Sequence, residues 1–137
     1  LIGRCLNVKV ADFGLSRVMQ LGRDDSDAYY RIKTRQPMPL RWMAPSTIVD
    51  RKFTSESDVW SYGCLLCEMW SAGEMPFNDL DDQQVVERLL AAYAGRVPEN
   101  EPVLASPKSC PPLIDALIQS CLTVNGELRP NFIVLRR

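Results

Sequence analysis

Histidine is absent from the 137 residues. This excludes a His-dependent nucleophilic triad and any zinc site with an imidazole ligand made by this chain alone. A general base drawn from these residues would be a carboxylate, lysine, tyrosine or thiolate. No run of 18 or more apolar residues occurs, so nothing here reads as a bilayer-crossing helix. Leu1-Ile2-Gly3-Arg4-Cys5 lacks the apolar core of a secretory leader. Charge imbalance is missing too: 16 Lys plus Arg against 17 Asp plus Glu leave a net charge of −1. That argues against a basic, nucleic-acid-coating protein and against an acidic tail. Five cysteines are too few, and odd in number, for a disulfide-stapled scaffold.

What remains is ordinary globular material, 46% hydrophobic and 24% charged, of single-domain length. Cys64 and Cys67 form a C-x-x-C, but inside an apolar helical stretch and without a second such pair. They read as packed, reduced thiols rather than half a metal site.

The chain opens with alternating Leu6, Val8 and Val10, which predicts a short β-hairpin over about residues 1–11. From Gly14 to Pro45 neither helical nor strand period survives. A thirty-residue irregular segment in a compact domain is usually functional or disordered. Helices follow. Ser55-Glu56-Ser57-Asp58 resembles a capping box, and Gly73 supplies a stop. Between them Val59, Trp60, Gly63, Cys64, Cys67, Met69 and Trp70 leave little polar face, which predicts a helix buried nearly all round. Asp81-x-x-Gln84 opens a second helix through Val85, Val86, Leu89, Leu90 and Tyr93, ended by Gly95. Pro111-Pro112 opens a third, with Leu113, Ile114, Leu117, Ile118, Cys121 and Leu122 on one apolar face. Phe132–Leu135 starts a fourth. The fold class expected is mainly α with a short N-terminal β-hairpin.

Asp12-Phe13-Gly14 follows the predicted strand directly. A carboxylate at a strand end supplies hard oxygen suited to Mg²⁺, and the glycine lets the backbone turn away. Three further stretches stand in order behind it: Pro39-Leu40-Arg41-Trp42-Met43-Ala44-Pro45, Ser57-Asp58-Val59-Trp60-Ser61-Tyr62-Gly63, and Arg129-Pro130-Asn131-Phe132. Together these resemble the second half of a protein kinase catalytic domain, more narrowly a tyrosine kinase. The resemblance covers the whole chain and implies a partial kinase C-lobe. Residues 1–13 would hold the hairpin and Asp-Phe-Gly, 14–45 the activation segment, and 46–137 the helical base.

By that resemblance Asp12 holds the Mg²⁺ that bridges the ATP phosphates, and Leu1 and Ala11 line the adenine pocket. Phe13 and Gly14 belong to the switch between active and inactive packing. The adjacent Tyr29 and Tyr30 become phosphosites, with Arg17, Arg31, Lys33 and Arg35 as cations to order the loop around the added charge. Pro39, Leu40, Arg41 and Trp42 form the tyrosine-kinase version of the substrate platform. Asp58 and Arg129 take structural roles, Asp58 toward the catalytic-loop backbone. The partners implied are ATP and proteins bearing tyrosine, with no nucleic acid and no membrane segment in this chain. The implied location is the cytoplasmic side, in a parent that is either a plasma-membrane receptor or a cytoplasmic enzyme.

Three departures bear on activity. The family reads Ala-Pro-Glu where this chain reads Ala44-Pro45-Ser46, so Arg129 loses its usual carboxylate. Leu122 stands where the family usually has tryptophan. The Gly-rich loop, the strand lysine, the αC glutamate and the catalytic loop with its general base are not in the chain. The expectation is an active parent enzyme and an inactive isolated 1–137. The alternative is a pseudokinase-type binding or scaffold module.

Overall fold

The structure, a computed structural model, describes residues 7–13, 30–31, 38–98 and 100–136. Leu1, Gly14 and Tyr29 lie outside the described residues, as does most of the expected activation segment.

The long helix α2, Ser55–Trp70, is the axis of the fold. Its start is a true capping box, shifted by one residue from the sequence expectation. Thr54 is the N-cap, its Oγ1 accepting from the Ser57 amide at 3.2 Å. The Ser57 hydroxyl accepts from the Thr54 amide at 2.9 Å. The helix stops after Trp70 because Ala72 and Gly73 turn left-handed, at φ 60° and 94°. The Gly73 amide closes back on the Glu68 carbonyl at 2.8 Å, the geometry that glycine accommodates without strain.

Two helices pack on α2's surroundings. α3, Asp82–Tyr93, begins with the expected Asp81/Gln84 capping box and buries Val85, Leu89 and Ala92. α4, Pro112–Cys121, begins with proline at its first helical position. The α2–α4 seam is tight at Gly63. A β-carbon there would meet Cys121 Cβ at 2.8 Å and Leu122 Cδ2 at 3.0 Å. Leu122 therefore fills the space above Gly63. Trp60, Cys64, Val85, Leu89 and Ile118 are fully excluded from solvent. Burial pushes the Cys67 thiol up to about 11, with Cys110 and Asp115 nearby adding to it. Such a thiol is inert packing rather than a nucleophile.

Three short elements complete the frame. α1, Pro45–Asp50, packs against α3 and ends at left-handed Arg51. β1, Tyr30–Arg31, pairs antiparallel with β2, Lys52–Phe53, in the register Tyr30↔Phe53 and Arg31↔Lys52. α5, Phe132–Leu135, is capped by the Asn131 side chain.

Three expectations need correction. No hairpin appears among residues 7–13, where Val8 makes an isolated bridge and every residue is exposed. Val8 and Val10 alternate without a covered face to alternate against. α2 is not buried all round: Leu65 and Met69 are 45% and 66% exposed, and Asp58 on the same stripe is exposed. α4 does not bury Leu113, which is 86% exposed. It lies in the first turn, on the side away from the seam.

Candidate active site

Asp12 sits at the end of the extended residues 7–11 with φ 63°. Left-handed backbone costs most side chains about 1 kcal/mol or more, aspartate less than most. Arg51, Ala72 and Phe77 share this backbone region. Phe13 follows, 67% exposed, and Ala11 is exposed as well.

Leu40–Trp42 forms a 3-10 turn that leads into α1. Arg41 is the pin that holds it. Its Nε donates to Asp82 Oδ1 at 3.0 Å, and Nη2 lies 2.8 Å from the same oxygen. Nη1 donates to the Phe77 and Pro76 carbonyls at 2.7 and 3.2 Å. Nη2 donates to the Leu80 carbonyl at 2.8 Å. The guanidinium fork is thus spent inward, tying the platform to the loop between α2 and α3. Trp42 is tied on the other side. Its Nε1 donates to Glu68 Oε2 at 3.1 Å, and its carbonyl accepts from the Ser61 hydroxyl at 2.8 Å. Pro39 is exposed and Leu40 half-buried. These two keep free surface, while Arg41 and Trp42 hold the shape.

At the base, Arg129 is 7% exposed. No carboxylate pairs with it among the described residues. Its Nε donates to the Thr123 carbonyl at 2.7 Å, Nη1 to the Glu56 carbonyl at 2.7 Å and Nη2 to the Val124 carbonyl at 3.0 Å. The guanidinium carbon lies 5.1 Å from the centroid of the Trp60 ring. Burial pulls its pKa down to about 10, partly offset by Glu56. The loss of glutamate at position 46 therefore leaves Arg129 compensated by carbonyl dipoles and a π face.

Asp58 lies in the first turn of α2, exposed and without a hydrogen bond to its carboxylate among the described residues. Partial desolvation, then the neighbouring Glu56, raises its pKa above the ordinary 3.8.

Sequence reasoning found Arg41 and Arg129 as site residues but not their partners. The carbonyls of residues 76, 77 and 80 carry no side-chain signal. Neither does α1, too short to show a period. For a metal, the described residues hold no group of three or more His, Cys, Asp or Glu. Asp12 offers one hard, exposed oxygen donor of the kind Mg²⁺ accepts.

The chain matches the protein tyrosine and serine/threonine kinase family over residues 1–137. It belongs to that family. Its relatives include ephrin type-A receptor 3 of Danio rerio, 40% identical over 132 residues. Ephrin type-B receptor 3 of Homo sapiens is 39% identical and fibroblast growth factor receptor 1 of Dugesia japonica 37%, each over 132 residues. Each alignment covers 96% of this chain but only 12–14% of the relative's length. The mainly α fold agrees with a kinase C-lobe, and the relatives are receptor tyrosine kinases. No helix among the described residues is long and apolar enough to cross a membrane.

Proposed function

We propose that this chain is part of an active protein tyrosine kinase that transfers the γ-phosphoryl group of ATP to tyrosine hydroxyls of protein substrates. The observation that carries this reading is the exposed Asp12 carboxylate, held in left-handed backbone directly before Phe13 in a kinase-family chain. Asp12 would hold Mg²⁺, which supplies charge neutralisation at the phosphates when bound. Ala11 and Leu1 would line the nucleotide pocket. The substrate phenol would rest on Pro39 and Leu40, positioned by the tied-down Arg41 and Trp42. In the transfer, the phenolic oxygen bonds to the γ-phosphorus while its bond to the ADP oxygen breaks. The phenolic proton passes to the carboxylate base of the family's catalytic loop, which is not among residues 1–137. Phe13, Gly14, Tyr29 and Tyr30 would regulate this step, and the site would face the cytoplasm.

The pseudokinase alternative drew its weight from Ser46. Arg129's three carbonyl partners and the Trp60 ring lighten that weight, because they stand in for the lost carboxylate, while burial still lowers the Arg129 pKa. The test is direct. Full-length protein, incubated with ATP, Mg²⁺ and a tyrosine-containing peptide, should form phosphotyrosine. Nucleotide binding without any phosphotyrosine would select the scaffold. The isolated 1–137 chain should give none.

A further inference from the structure

A cleft of about 500 Å³ opens between the last turn of α2, residues 74–80, α3 and residues 103–107. Neither Asp12 nor residues 39–42 line it. Its floor is apolar: Phe77 and Val103 are buried, and Leu80 and Leu104 pack beside them. Two guanidinium groups set its walls, Arg41 from outside and Arg88 from the lining itself. Arg41 holds the carbonyls of Pro76, Phe77 and Leu80. Arg88 holds the Val103 and Pro102 carbonyls at 2.7 and 2.9 Å and Glu101 at 3.0 Å. Both loops are therefore in place before anything binds, which lowers the entropy lost on binding.

The charges around the cleft do not balance. Its ionisable lining is Glu74, Asp79 and Arg88. Arg88 is already committed to the wall. Glu74 meets only the neutral Asn78 amide, at 3.1 Å. Two exposed carboxylates thus stand over an apolar floor. Lys108 lies on the neighbouring cleft with Asp115, not on this one.

We infer that this cleft docks an extended segment of a partner protein in which Arg or Lys flanks an aliphatic side chain. Side chains alternate faces along an extended segment. One aliphatic group would enter above Phe77 and Val103, while its long cationic neighbours bend back to Glu74 and Asp79 at the rim. A volume of this size accepts one or two side chains, not a folded surface. The site goes beyond phosphotransfer, although its wall residues 76, 77 and 80 are the ones Arg41 ties to the platform.

The test is fluorescence anisotropy on the full-length protein with a labelled peptide of alternating Arg and Leu. Saturable binding is expected that weakens at least tenfold in the Glu74→Gln/Asp79→Asn double variant. Replacing the peptide's Leu by Ser should weaken it similarly, and raising the salt concentration should weaken it further. The double variant changes only exposed side chains, and an unchanged melting temperature would confirm that it folds. Equal affinity in wild type and double variant would overturn the inference. So would tighter binding of an alternating Glu and Leu peptide, or binding that ignores salt, which would assign the cleft to an uncharged apolar ligand. No phosphotransfer is read, so failure here is distinguishable from failure of the kinase reading.

Discussion

Arg41 and Arg129 do the same work in two parts of the molecule. Each holds backbone carbonyls with one guanidinium fork, Arg41 those of the loop between α2 and α3 and Arg129 those of residues 56, 123 and 124. Arg129 does it in the base, almost fully buried, without a carboxylate among the described residues and with the Trp60 ring as its cover. Arg41 does it at the front, with its side chain 14% exposed and a partner, Asp82, that is 73% exposed. The difference teaches what stabilises each. In the base, dipoles and a π face replace a counter-ion. At the front, an ion pair with the exposed Asp82 adds little to the carbonyl contacts.

The comparison predicts a graded series. Arg129→Ala removes three hydrogen bonds made by a nearly buried side chain and should cost about 3 to 5 kcal/mol, read from urea unfolding. A loss as small as that of an exposed arginine would break the contrast. Gly63→Ala tests the tightness of the same base. The added methyl meets Cys121 and Leu122 inside contact distance, so about 1 to 3 kcal/mol should be lost. Arg41→Ala should cost about 1 to 2 kcal/mol in stability, because its guanidinium is less buried than that of Arg129. It should raise the KM for peptide substrate in the full-length protein more than it lowers kcat. Asp82→Asn should change stability by less than about 1 kcal/mol, and an effect equal to that of Arg41→Ala would show that the ion pair does the holding.

The smallest effect belongs to Asp58. Its folded-state pKa is raised above 3.8 by desolvation and then by Glu56. The proton is therefore held more tightly in the folded state. Its favourable contribution is complete below the unfolded pKa and disappears as pH rises through the folded one. Asp58→Asn in the 137-residue chain should slightly stabilise it at neutral pH, and the gain should vanish below about pH 4. A gain that persists at low pH would point to something other than the charge.

The helices were legible because their ends carry side-chain signals. Asp81 and Gln84 cap α3, Pro112 starts α4, and Gly73 follows α2. The hairpin was not, because alternating valines mark a strand only where one face finds cover. The exposed stripe of α2 at Asp58, Leu65 and Met69 was hidden by composition: an apolar face looks the same in sequence whether or not a neighbour covers it. At the site, Asp12 and the platform were readable as motifs, but their chemistry came only through the kinase resemblance. Arg41 shows the limit. The resemblance put it in the substrate platform, and the backbone carbonyls that occupy it leave no trace in sequence.

Replacing Asp12 by asparagine in the full-length protein tests the account most directly, because the side chain keeps its shape and loses its charge. Mg²⁺-dependent tyrosine phosphorylation should fall by at least about a hundredfold, with an unchanged melting temperature. Undiminished phosphorylation by Asp12→Asn would contradict the assignment of the metal-holding carboxylate, and with it the proposed mechanism.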